Sequence, residues 1–223
     1  MFGHGKSRSA ATAAVVCIVT FAVILTGTRA LKIDFGESQL QAPAVNLAET
    51  EQEVPLSAVR VENVSIIGDS ITLGASSRLT EAIPDAYIDA EVGRDMSIGF
   101  SIFKKLIDKD ELGSFVVIAL ANNVHADTIT NAKEIIDLIG SGRRLVFVTG
   151  HGLTNMEPVN EYIRDLPDQY PFITVADWDV AITPHEDLLG ADHIHVNKSE
   201  ANQIYADCVK EALETAAAKP PSE

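Results

Sequence analysis

Residues 64–75 read VSIIGDSITLGA. Val64–Ile67 is short and mostly β-branched, as a strand is. Gly68, Asp69 and Ser70 interrupt it, and a helix-like run follows. A strand that stops in Gly-Asp-Ser and enters a helix directly is the opening unit of an alternating β/α chain. It also sets a serine at a helix start. That serine is either a cap, the ordinary role there, or a nucleophile, if a base is brought to it.

Working outward from this stretch, short apolar runs alternate with helical ones from Val61 onward. The strand candidates are Val64–Ile67, Tyr87–Val92, Phe115–Ala121, Arg144–Thr149 and Phe172–Asp177. The helix candidates are Thr72–Ala82, Ile98–Lys109, Thr128–Ile139, Asn155–Leu166 and Ser199–Ala217. The runs SFVVIALA and RLVFVTG are nearly continuous in apolar residues, the mark of strands covered on both faces. The pattern predicts an α/β domain over residues 61–218 with a parallel sheet and right-handed crossovers; the fold expected is a three-layer α/β/α sandwich with a five-stranded parallel sheet in the order 2-1-3-4-5.

The first 60 residues read differently. Ser9–Thr28 holds no charged residue and lies between Arg8 and Arg29. At ~1.5 Å per residue it matches the ~30 Å core of a bilayer. Lys6 and Arg8 before it favour an N-terminus on the inside. Residues 1–30 are therefore read as a cytoplasmic stub and one N-terminal membrane-spanning helix. A cleaved signal peptide, giving a secreted protein, is the alternative; either way the domain is exported. Residues 31–60, with Pro43, Pro55 and five acidic residues, read as a flexible linker.

The 223-residue chain carries a net charge of −15, and residues 61–223 hold 12 basic and 27 acidic residues. Such a surface argues against nucleic acid as a partner and against docking of the folded part on anionic lipid. The two cysteines, Cys17 and Cys208, form no disulfide framework and no zinc spacing.

In an open parallel sheet the functional groups gather at the carboxyl ends of the strands. Those ends carry Gly68-Asp69-Ser70, then Gly93 in EVGRD, then Asn122 and Asn123 in ALANNVH, then Gly150-His151-Gly152. Last comes GADHIHVN, with Asp192 and His195. Ser70 at a helix start has free backbone N–H groups beside it. His195 is the candidate base, and Asp192, three residues earlier, the group that fixes its tautomer. No G-x-S-x-G elbow occurs. Asp192, His193 and His195 also offer zinc-type ligands, but the triad reading employs two of them, so no metal or cofactor is expected. Asp69 reads as an anchor of the serine turn and His185 as a loop-packing residue. His151, Asn122 and Trp178 are candidates for the substrate cleft.

The stretches IIGDS, Gly93, Asn123 and DHIH together resemble the four sequence blocks of the SGNH (GDSL-type) hydrolases. The resemblance implies Ser70 as nucleophile and an oxyanion hole formed by the Ser70 and Gly93 N–H groups and the Asn123 amide. Asp192 and His195 complete the triad. PDAYIDAEVGRDM, Asp177-Trp178 and PHEDLLGADHIH are similar to the extracytoplasmic SGNH domain of bacterial peptidoglycan O-acetyltransferases. In the third block Ala121 stands where the family pattern has Gly, and Val124 follows the Asn. The resemblance implies serine-dependent acyl transfer on O-acyl esters, with an acylated cell-wall glycan or small ester as substrate. Whether the product is that of an esterase or an O-acetyltransferase stays open. A membrane acyltransferase is an implied partner, and a membrane-tethered, non-catalytic wall-binding module is the rival reading.

Overall fold

The computed structural model describes residues 60–223. The expected membrane span over residues 9–28 and the linker over 31–60 lie outside the described residues, apart from Arg60. Among the described residues no helix is long and apolar enough to cross a membrane.

Five strands, β1 (Val64–Gly68), β2 (Tyr87–Ala90), β3 (Phe115–Ala119), β4 (Arg144–Val148) and β5 (Ile173–Ala176), form one sheet. All neighbours are parallel, as the alternation predicts, and the order is the expected β2-β1-β3-β4-β5. The strands β1, β3 and β4 are buried along their whole length. Their side chains divide by strict alternation. Ile66, Val117 and Val146 face one layer, while Ile67, Val116, Ile118 and Phe147 face the other.

The first layer holds α1 (Ser70–Ala82), α5 (Trp178–Ile182) and α6 (Ser199–Ala217), and the second holds α2 (Met96–Asp108), α3 (Thr128–Ile139) and α4 (Glu157–Gln169). The starts of α1 and α2 are fixed by Asp69 and Asp95, whose carboxylates accept from Ile71 N and Ile98 N, each at 2.9 Å. This moves both helix starts two residues ahead of the periodicity reading. The α4 helix runs through Pro167 to Gln169. A proline in the last turn removes only one donor there, so the helix extends past the expected stop at Leu166.

The segment after β5 contains α5 and a 3-10 helix over Thr183–Leu188. Asp177 accepts from Val180 N and caps α5. The chain beyond Ala218 is tied to the amino-terminal end of the sheet: Ser222 N donates to Arg143 O at 2.8 Å and Lys219 Nζ to Ile173 O at 2.5 Å.

Candidate active site

The carboxyl ends of the strands carry the site, and β1 builds its first part. Asp69 is 2% exposed. Its own N–H donates to Ala119 O at 3.1 Å, anchoring the turn to β3. One carboxylate oxygen caps α1, and the other accepts from Asn122 N at 3.3 Å. Burial pushes the Asp69 carboxyl up to about 6, against the N–H donors of Ile71, Asn122 and Thr72. Ser70 is thereby the first residue of α1, facing the open end of the sheet.

The loop ending in Val196 brings the base. Asp192 Oδ1 accepts from the N–H groups of Ile194 and His195 at 3.1 and 3.0 Å. This is a local turn held by the aspartate's own side chain. The other oxygen, Oδ2, accepts from His195 Nδ1 at 2.7 Å. The bond assigns the proton to Nδ1, so Nε2 is an acceptor, and the Ser70 hydroxyl donates to it at 3.0 Å. The backbone N–H of His195 first, then its ring N–H and Ile194 N, hold the Asp192 carboxyl well below the usual carboxylate range. The Asp192 and His195 side chains are 48% and 44% exposed, so this relay lies on an open shelf.

Gly93, at the end of the β2 loop, has φ +75°, a left-handed conformation that glycine adopts without strain. Asn123, in the β3 loop, donates Nδ2 to Arg94 O at 2.9 Å. A carbonyl can only accept, so it fixes which end of the Asn123 amide is nitrogen. Asn122 reaches the other way, donating Nδ2 to His151 O at 3.0 Å. The two adjacent asparagines thus tie the β3 loop to both flanking loops. Ala121 is buried and has no positive φ, so its methyl group costs the loop no backbone strain.

The structure brings Ser70, Asp192 and His195 into one hydrogen-bonded line and gathers Gly93 and Asn123 on the neighbouring loops. The three cleft candidates come out differently. Trp178 is 0% exposed, and its ring meets Tyr205 edge-on at 5.2 Å, so it is a core residue and not a cleft wall. The periodicity of a five-residue helix is too short to tell the two roles apart. Asn122 is a brace between loops, its amide engaged by His151 O. His151 is buried, with Nδ1 donating to Asp179 Oδ1 at 2.8 Å and Nε2 3.6 Å from Glu186. It holds the β4 loop to the α5 segment, so the bonds that His151 and Asn122 make join loops of the site. At Gly152, φ +96°, a Cβ would fall 2.5 Å from His193 O, so glycine there lets the β4 loop abut the loop of His195. His185, expected to pack in a loop, is exposed.

Two features escaped the sequence reading. Arg164 pairs with Asp177 and Asp179, each at 2.8 Å, and so locks α4 to α5. Arg94 is 5% exposed and clamps the β2 loop. Neither arginine stands in a spacing that announces its partners. No group of three or more His, Cys, Asp or Glu able to hold a metal lies among the described residues. Burial pushes the Cys208 thiol up to about 12, which leaves it protonated and unreactive.

No protein-family model matches the sequence. A solved structure, the C-terminal catalytic domain of peptidoglycan O-acetyltransferase A from Streptococcus pneumoniae with a methylsulfonyl adduct, matches with a TM-score of 0.68 and 27% identity. The match covers 73% of this chain and 98% of that one. The folded part of the chain is thus similar to an SGNH (GDSL-type) hydrolase domain. It has the architecture of a serine ester hydrolase or O-acyltransferase. The chain is also 26% identical over 151 residues to the O-acetyltransferase OatA of Staphylococcus aureus, covering 67% of this chain and 25% of that protein. It is 23% identical over 155 residues to a putative peptidoglycan O-acetyltransferase, YrhL, of Bacillus subtilis, covering 70% of this chain and 24% of that protein. The chain thus spans about a quarter of the length of the curated relatives it matches.

Proposed function

We propose that this SGNH-like domain catalyses serine-dependent acyl transfer on O-acyl esters, O-acetyl esters of cell-wall glycan in particular. The observation that carries the reading is the line Ser70 Oγ–His195 Nε2–Asp192, with contacts of 3.0 and 2.7 Å. The glycan substrate rests on the likeness to the peptidoglycan O-acetyltransferases.

In this reading Ser70 Oγ attacks the ester carbonyl as its proton passes to His195 Nε2. The new C–O bond pushes charge onto the carbonyl oxygen. The N–H groups of Ser70 and Gly93 and the free N–H of the Asn123 amide stabilise that charge. Asp192 holds the imidazole in the right tautomer and faces the imidazolium that forms. The tetrahedral intermediate collapses by breaking the bond to the alcohol, which takes the proton from Nε2. The acyl-enzyme on Ser70 is then attacked by an acceptor hydroxyl, whose proton goes to His195 and returns to Ser70 on release. Water as acceptor gives an esterase, and a sugar hydroxyl gives an O-acetyltransferase. The open shelf around Asp192 and His195 suits a bulky acceptor such as a polymer chain.

The uncharged run over residues 9–28 supports a single-pass anchor with the domain on the extracytoplasmic side. A separate membrane acyltransferase is the proposed supplier of acyl groups. Turnover of p-nitrophenyl acetate by the full chain tests the enzymatic reading. Release of nitrophenol that Ser70→Ala abolishes supports it. Binding to wall glycan without any turnover would instead mark a non-catalytic, wall-binding module.

A further inference from the structure

We propose that Arg94 is the positioning residue of the oxyanion hole, holding Gly93 and Asn123 in register with each other. The inference rests on the acyl-transfer reading for its consequence, and on the geometry of two loops for its content.

Residues Glu91 to Arg94 form a turn, closed by Arg94 N donating to Glu91 O at 3.4 Å. The Arg94 side chain folds back across that turn. Its NH1 donates to Asp89 O at 2.6 Å, and its NH2 to the Asp89 carboxylate at 2.8 Å and to Glu91 at 3.3 Å. Side chain and backbone together make a ring that contains Gly93. Nothing lies within 4 Å of where a Cβ on Gly93 would be. That side is open, so the bonds of the ring, with Glu91 N donating to Gly68 O at 3.2 Å, are what hold the turn.

The second donor depends on the same residue. Among the described residues, the hydrogen bond of the Asn123 side chain is the one to Arg94 O. An amide nitrogen carries two hydrogens, so this bond orients the group and leaves one hydrogen for a ligand. Loss of the ring therefore releases both donors at once. The guanidinium is buried, and its Nε has no hydrogen-bond partner. A buried charge with one unsatisfied N–H is a poor choice for stability alone. Its place makes sense if the loop must be rigid. The partner Asp89 is one-third exposed, so water can solvate it once Arg94 is removed, and the fold should survive.

The test is a double-mutant cycle on p-nitrophenyl acetate with the full chain, using Arg94→Ala, Asn123→Ala and the double variant. Displacing both donors should lower kcat by ~10²-fold and leave KM within about two-fold. The double variant should lose no more than about three-fold beyond the worse single variant, because both changes act on one device. Guanidinium ion added to Arg94→Ala should restore part of kcat. Should Arg94→Ala fail to fold, Arg94→Lys takes its place in the cycle. Losses that multiply, or an unchanged kcat, would overturn the proposal. A wild-type chain silent on the ester would sink the acyl-transfer reading and not this one. The side-chain amide protons of Asn123, followed by NMR, then decide. Protection from exchange that is lost in Arg94→Ala supports the coupling, and equal protection in both proteins overturns it.

Discussion

The Asp192 carboxylate receives the Nδ1 proton of His195 at 2.7 Å while its other oxygen holds the backbone of His195 itself. One aspartate thus sets both the position and the tautomer of the base, within four residues of chain. The bonds that set the base are local, and Ile194 and Val196 on either side of it pack against the core.

Asp192→Asn should keep the two backbone bonds and disturb the ring bond. The asparagine amide cannot match the carboxylate toward an imidazolium. Because the pair is half exposed, water takes over part of the loss. We expect kcat to fall by roughly 10²-fold, less than in a buried triad, with melting temperature unchanged. Steady-state kinetics and a thermal melt check this, and a wild-type kcat would remove Asp192 from the mechanism.

The two asparagines of the third block should separate cleanly. Asn123→Ala removes a proposed oxyanion donor and should reduce kcat by ~10²–10³. Asn122→Ala breaks the bond to His151 O, which should cost about 1 kcal/mol of stability with kcat almost unchanged. Ala121→Gly should lower stability by roughly 0.5–1 kcal/mol and bring no gain in rate, since Ala121 is buried in an unstrained conformation. Kinetics and urea unfolding of the three variants read these effects separately. Equal kinetic losses at Asn122 and Asn123 would contradict the assignment.

Asp69 gives the fold a pH signature. Burial raises its carboxyl to about 6 in the folded protein, against about 3.9 in an unfolded chain. The folded state binds the extra proton, so this contribution to stability is complete below about pH 4 and is lost as pH rises through about 6. Its size is at most about 3 kcal/mol. Asp177 and Asp192, both held low, act in the other direction, below the ordinary carboxylate range. In Asp69→Asn the fall in stability between pH 4 and 7 should be reduced. Urea midpoints of both proteins across that range measure it, and a difference that does not vary with pH would refute it.

The sequence made the sheet legible because β3 is apolar throughout and β1 and β4 nearly so, the pattern of strands covered on both faces. The helices Thr128–Ile139 and Ser199–Ala217 were readable to the residue, being long and periodic. The 3-10 helix over Thr183–Leu188 was not, since six residues carry no period. In the site, Asp192 and His195 could be found because their contact is local and its spacing is a signature. Arg94, Arg164 and Trp178 could not, because their roles are set by partners on other elements or by burial. A buried arginine and a solvated one look the same in sequence.

The most direct test of the account is covalent capture of the nucleophile. The full chain is treated with a sulfonyl fluoride, and the adduct is mapped by peptide mass spectrometry. A single adduct at Ser70 is expected, absent from a folded Ser70→Ala variant that has also lost ester turnover. An adduct on a different serine, or wild-type turnover in Ser70→Ala, would contradict it.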